Sequence, residues 1–324
     1  MPYALPVRTV LGLTLGLALS GCAGGEDAST ADYPSQTIRF LVPYGAGGPT
    51  DLTSRVVGEC LQQELGQTVV VENKPGGSGA LATTELVGAA ADGYSLSLVT
   101  AGTLVLTPLA NEVGYTKDDV RPIGVMSEVP SLLAVGKDSP YQDAKAFIDA
   151  ARARSGAIKV GVPGASTPQA IELRRLADEH DVEVTVVPFN GNAEMTTALL
   201  GGNVDAILIN ASADVVGNVD NGSFRPLAVS PEQRLPWLAD TPTLTELGFD
   251  GLTLSGSTFG LAGPADLPDP VASTLESALR TCLDKPDVQD KIGKRYMTAD
   301  FVDGAGLQQV LDDTQAVYQP MFGS

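Results

Sequence analysis

The stretch Thr37-Ile38-Arg39-Phe40-Leu41-Val42-Pro43-Tyr44-Gly45-Ala46-Gly47-Gly48-Pro49-Thr50-Asp51 decides the fold. Residues 37–42 read as a short buried strand that Pro43 ends. Gly45 to Gly48 form a tight loop, and a helix follows over about Pro49–Leu65. Within it Leu52, Val56 and Cys60 fall four apart, with Val57, Leu61 and Leu65 as the adjacent ridge. Pro49 suits the first helical turn, Asp51 favours the positive end of the helix dipole, and Gly66 stops the helix. Thr68-Val69-Val70-Val71-Glu72 is the next strand.

The same alternation continues outward. Strands are expected at 94–100, 132–135, 159–162, 184–187, 205–209 and 225–229, with helices at 83–91, 144–153, 168–179 and 194–200. The end of the chain, 270–284 and 306–318, reads as mostly helical. This rhythm predicts an α/β fold with parallel sheets and helices on both faces. Two segments interrupt it, the long extended run 121–135 and the Gly-, Ser-, Thr- and Pro-rich run 242–268. They read as two crossings between lobes. One lobe is then built from both ends of the chain, over 35–130 and 256–324, and the other from the middle, over 131–255.

The first 22 residues are not fold. Arg8 precedes the apolar run Val10–Leu19, which is too short to span a bilayer, and Leu19-Ser20-Gly21-Cys22 has the form of a bacterial lipobox. The segment is expected to be a lipoprotein signal peptide, with Cys22 the lipidated N-terminus of a protein anchored outside the cytoplasmic membrane. Residues 23–34 are then a flexible polar tether. The other cysteines, Cys60 and Cys282, can pair in an oxidising compartment or remain two buried thiols.

Composition excludes several functions. The 324-residue chain has 39 acidic and 20 basic residues, a formal charge of -19, which argues against a nucleic-acid partner. It has a single histidine, His180, in a polar helix end that reads as solvated, so zinc sites and Ser-His or Cys-His catalysis have almost nothing to use. Gly76-Gly77-Ser78-Gly79-Ala80 lacks the last glycine of a nucleophile elbow. Gly45-Ala46-Gly47 begins a dinucleotide-binding pattern, but Thr50 holds the third glycine position. Asp118-Asp119 and Asp312-Asp313 read as exposed charge, and Asn218, Asp220 and Gly222 make only a fragment of a calcium loop. Neither a cofactor nor a metal is expected.

Anion capture fits better. Gly47 and Gly48 let the backbone approach a ligand where a helix starts, and free N–H groups there favour carboxylate or phosphate. Gly164-Ala165-Ser166-Thr167-Pro168 is a second such loop, with hydroxyls on Ser166 and Thr167. Asn190 and Asn210 follow strands of the second lobe, and Thr100-Ala101-Gly102-Thr103 follows one of the first. In α/β sheets ligands bind at such carboxyl ends of strands.

Taken in order, these segments resemble the substrate-binding proteins of tripartite tricarboxylate transporters, also called the Bug family. The resemblance runs from about Tyr33 to the C-terminus and is most specific over Ile38–Gly48 with Asp51. It continues through Val71-Glu72-Asn73-Lys74-Pro75-Gly76-Gly77, Asp92-Gly93-Tyr94-Ser95-Leu96, Val187-Pro188-Phe189-Asn190-Gly191 and Leu200-Gly201-Gly202-Asn203-Val204-Asp205. Leu227-Ala228-Val229, Arg234, Thr241-Pro242-Thr243 and Glu246-Leu247-Gly248 complete it.

The resemblance implies a two-lobed periplasmic-binding-protein fold of type II, the Venus-flytrap kind, closing on a small carboxylate for membrane permease subunits. It implies no enzymatic activity. Tyr44, Gly47, Gly48, Thr100, Ala101 and Thr103 would line the first lobe, and Ser166, Thr167, Asn190 and Asn210 the second. Asp51 would orient its loop. Cys60 and Cys282 would share the terminal-built lobe, which favours their pairing. The chain departs from the family pattern at Asn190, often Lys; Asn192, often a small residue; Val162, often Ser; and Thr258, often Trp. These departures bear on the ligand more than on the fold. A sensor that hands the same ligand to a receptor would share the signature; a secreted enzyme is the third class.

Overall fold

The computed structural model describes residues 33–250, 252 and 256–323, with residues 1 and 3. Cys22 and almost all of the expected signal and tether lie outside the described residues.

Strands β1 (Ile38–Val42), β2 (Val69–Asn73), β3 (Ser95–Val99), β4 (Val120–Val129) and β10 (Ser257–Pro264) form one sheet in the order β2-β1-β3-β10-β4. β5 (Ser131–Gly136), β6 (Lys159–Val162), β7 (Thr185–Pro188), β8 (Ala206–Asn210) and β9 (Phe224–Val229) form the other, in the order β7-β6-β8-β5-β9. β1, β2 and β3 are parallel, as are β6, β7 and β8. Each sheet also holds one strand antiparallel to both its neighbours: β10 between β3 and β4, and β5 between β8 and β9. Both are the first strand after a crossing. The chain leaves the first sheet at Val129, passes Pro130 and enters the second at Ser131; it returns into β10 at Ser257.

Helices cover both faces of each sheet. In the first lobe α1 (Pro49–Leu65), α8 (Asp269–Leu283) and α9 (Pro286–Ile292) cover one face, burying Val57, Leu61, Leu275, Leu279 and Val288 against Phe40 and Leu98. On the other face α2 (Ala80–Val87), a tight turn over Gly102–Leu106 leading into α3 (Thr107–Ala110), and α10 (Gly304–Tyr318) bury Leu86, Leu104, Leu307 and Leu311. In the second lobe α4 (Ala144–Ala153) and α5 (Pro168–His180) cover one face, and α6 (Asn192–Leu200) and α7 (Ala213–Asp220) the other. Two faces per sheet explain why the core strands read as continuous apolar runs rather than alternating ones.

Cys60 on α1 and Cys282 on α8 form a disulfide, with Cα atoms 5.7 Å apart, and so join two helices that lie 222 residues apart in the chain. Three expectations need correction. The sheets are mixed rather than parallel, because the first strand after each crossing runs antiparallel to both its neighbours. Leu52 belongs to the exposed side of α1, at 42% accessibility, because the helix turns Thr53, Val56 and Val57 to the sheet instead. His180 is half-buried rather than solvated, its ring edge-on to Phe249 at 5.0 Å.

The two lobes meet face to face. Gly45 N donates to Asn190 O at 2.9 Å, Ser166 N to Ser78 Oγ at 3.2 Å, and Asn111 Nδ2 to Ser166 Oγ at 2.9 Å. Tyr296 Oη adds a bond to Ala211 O at 2.7 Å. The cleft is shut.

Candidate functional site

Three helices begin at the cleft. Gly48 precedes α1, Thr167 precedes α5 and Gly191 precedes α6, and none of these N-caps makes a side-chain capping bond. Gly48 and Gly191 have no side chain to give, and Thr167 Oγ1 donates to Gly164 O instead, at 3.0 Å. The first-turn N–H groups of Thr50, Gln169 and Asn192 therefore lack the intrahelical acceptor found further along, and stay available to a ligand. Each N-terminus also carries partial positive charge from its helix dipole.

All three border one cavity, walled by Tyr44, Gly45, Gly48 and Thr50 from the first lobe and Thr167, Gln169, Gly191, Asn192 and Asn210 from the second. Thr100, Ser257 and Phe259 close its base. No charged residue lines it among the described residues. The site can thus neutralise an anion only by dipoles and hydrogen bonds, in a water-poor space where these act strongly.

The loop before α1 is braced from below. Asp51 is 6% exposed. Its Oδ2 accepts from Gly47 N at 3.0 Å, and its Oδ1 from Asn73 Nδ2 at 3.0 Å and Arg55 Nη2 at 2.9 Å. Asn73 Nδ2 also donates to Tyr44 O at 3.1 Å. Burial alone would raise the Asp51 carboxyl, but the bonds from Arg55, Gly47 and Asn73 outweigh it and hold the group below the usual carboxylate range. Gly47 has φ +81°, a left-handed conformation that a side chain would strain, so the glycine is needed for the turn. Burial pushes the Tyr44 hydroxyl up to about 12, against an opposing bond with Thr100, so Tyr44 meets a ligand as a neutral donor.

On the second lobe, Asn210 Oδ1 accepts from Gln169 Nε2 at 2.9 Å and from Ser257 Oγ at 3.0 Å. Asn192 Nδ2 donates to Asn210 O at 3.1 Å. These bonds run from α5 and α6 through β8 to β10, and so link the cavity wall to a crossing strand.

The profile of the family described as "Tripartite tricarboxylate transporter family receptor" matches residues 53–322. The chain belongs to that family. The receptor is 31% identical over 238 residues to BugT of Bordetella pertussis, covering 72% of each chain. Among solved structures it is similar to MatC from Rhodopseudomonas palustris with bound malate, at 26% identity and a TM-score of 0.81 over 90% of this chain and 100% of MatC. A second R. palustris protein, solved with adipate, is 27% identical with a TM-score of 0.82, over 89% of this chain and 97% of the other. The two-lobed periplasmic-binding-protein fold is thereby established. Family and neighbours are solute-binding proteins rather than enzymes, and the family implies an extracytoplasmic protein. No described helix is long and apolar enough to cross a membrane, and no described cluster of His, Cys, Asp or Glu could hold a metal.

Of the residues singled out in the receptor's sequence, the cavity brings together Tyr44, Gly48, Thr100, Thr167 and Asn210. Gly47 lies one residue outside the lining and shapes the turn. Thr103 lies behind the wall: its N–H donates to Thr100 Oγ1, and its Oγ1 takes the bond from Thr100 N, both at 3.1 Å. Ala101 faces a separate interlobe space beside Pro168 and Tyr318. Ser166 spends its groups on Ser78 and Asn111, at the lobe contact. Asn190 is exposed and bonded to Glu194; its carbonyl, not its amide side chain, reaches across the cleft. Gly191, Asn192 and Gln169 take part instead. For α6 the signal was present: Gly191-Asn192 is another glycine at a helix start. Ser78, from the near-miss elbow, has φ 54° and its Oγ accepts from Ser166 N, so it is a closure contact and not a nucleophile.

Proposed function

We propose that this receptor is a lipid-anchored solute-binding protein that captures a small carboxylate between its lobes for the permease subunits of a tripartite tricarboxylate-type transporter. The convergence of three uncapped helix N-termini on one cavity without a charged wall carries the reading: it supplies N–H donors to an anion and no acid to repel it. The malate and adipate seen in its structural neighbours support the ligand class. Tyr44, Gly48, Thr50, Thr167, Gln169, Asn192 and Asn210 are the ligand-facing set, with Gly47, Asp51 and Thr103 shaping the first lobe behind them. The lobes divide at Pro130 and near residue 256. Capture of the ligand stabilises the closed form, and the closed form is the surface offered to the permease.

A thermal-shift screen of mono-, di- and tricarboxylates, aromatic acids and acidic amino acids tests this reading. At least one carboxylate raises the melting temperature; stabilisation only by a neutral sugar or a nucleotide refutes it. The anchor is tested separately. Cys22→Ser leaves the protein in the soluble fraction and unlabelled by fatty acid, whereas membrane attachment of that variant removes the lipidation proposal.

A further inference from the structure

One atom of the cavity wall runs against its donor-rich character. Gln169, the second residue of α5, is 1% exposed and lines the cavity. Its Nε2 donates to Ser131 Oγ at 3.0 Å and to Asn210 Oδ1 at 2.9 Å, which uses both amide hydrogens. Its Oε1 is buried and has no hydrogen-bond partner. Among the cavity-lining residues no other buried side-chain atom is left in this state.

Turning this amide alone does not repair it. A flip would set Oε1 against Asn210 Oδ1, which already accepts from Ser257 Oγ. In this arrangement Ser257 Oγ and Gln169 Nε2 both donate to Asn210 Oδ1. With its Oδ1 engaged twice, Asn210 has only its Nδ2, a donor, left to offer. Buried acceptors without partners are costly and rare in native interiors, so one on a residue that lines a binding cavity calls for a group that completes it. A carboxylate oxygen cannot do so, because it is itself an acceptor.

We infer that Gln169 Oε1 receives a hydrogen bond from a hydroxyl or ammonium group on the ligand, and that this selects a substituted carboxylate over its plain analogue. The inference rests on the carboxylate reading above. It divides the cavity by role: the helix N-termini take the acid, and Gln169 reads the substituent. A site that offers a hydrogen bond to a substituent discriminates strongly against the ligand that lacks it, since the protein group is then left buried and unpaired.

Titration calorimetry with matched acids tests it: propionate with lactate and alanine, succinate with malate and aspartate, and benzoate with 4-hydroxybenzoate. In the series that binds, the hydroxyl- or amino-bearing member binds about ten-fold tighter or more than the plain acid. In Gln169→Met that ratio falls to within about three-fold of unity, chiefly by weaker binding of the substituted acid. Gln169→Leu gives the same readout should the methionine variant fold poorly, and the wild-type ratio needs no variant. Equal binding of plain and substituted acids by the wild type overturns the role of Gln169 while the carboxylate reading stands. A preference that survives Gln169→Met overturns it too. Failure of every acid to bind overturns both.

Discussion

Tyr318 Oη donates a 2.6 Å hydrogen bond to Glu172 Oε1, joining α10 of the first lobe to α5 of the second where both side chains are fully buried. Arg175 Nη1 reaches the same oxygen at 3.2 Å. Burial pushes the Glu172 carboxyl above the usual range, and the Tyr318 bond and the Arg175 charge pull it only part of the way back. The helix whose N-terminus faces the cavity is thus held to the opposite lobe by a carboxyl that burial disfavours in its charged form.

A pH dependence follows. Folded Glu172 binds its proton more tightly than the unfolded chain does. Its contribution to stability is therefore complete below its ordinary value of 4.5 and is lost as pH rises through the higher folded value. Glu172→Gln keeps an acceptor for Tyr318 and removes the titration. Melting temperatures measured against pH fall less steeply above 4.5 for this variant than for the wild type.

Asp51 titrates with the opposite sign. Its folded value lies below the ordinary 3.8, so its contribution is present above 3.8 and disappears as pH falls through the lower folded value. Asp51→Ala leaves Gly47 N without its acceptor and Asn73 Nδ2 with only one of its two, Tyr44 O. It costs about 1–3 kcal/mol in urea denaturation at neutral pH and weakens carboxylate binding by about ten-fold. The stability difference from the wild type vanishes in strong acid.

Reduction of Cys60–Cys282 removes a cross-link that spans 222 residues of sequence. Constraint of so long a loop predicts a loss of about 2–5 kcal/mol on reduction. Mass measurement after alkylation checks the bond itself: the intact protein takes up no alkylating agent at either residue until a reductant is added.

Ligand capture responds to salt in an unusual direction. The chain carries a formal charge of -19, while the cavity offers only dipoles. The surface field opposes an approaching anion beyond the short range of those dipoles, and salt screens it over about 8–10 Å. Stopped-flow association of a bound carboxylate is therefore slower at low ionic strength than near 0.15 M.

How much of this was legible differs by residue. The run 37–51 displays strand, turn and helix because a terminator marks each boundary, and Gly48 at the helix start already points to an anion site. Pro130 and the return into β10 follow from breaks in the alternation. What depends on two segments meeting in space was not legible. Asn190 and Ser166 have the right chemistry at the right ends of strands, yet Glu194 and Asn111 take their side chains. Gln169 reads as an ordinary polar residue in a helix, and only its contacts with Ser131 and Asn210 show that its amide hydrogens are used while its oxygen has no partner. Leu52 shares the four-residue spacing of the buried Val56 and Cys60 yet lies exposed in the first turn of α1, because spacing alone does not show where along a helix its cover ends.

A crystal structure of the receptor with the carboxylate that most raises its melting temperature shows whether helix N-termini alone hold the acid. Carboxylate oxygens are expected in the cleft within about 3 Å of the backbone nitrogens of Thr50, Gln169 or Asn192, with no Lys or Arg in contact. A ligand bound outside the cleft, or a carboxylate paired with a basic side chain, would contradict it.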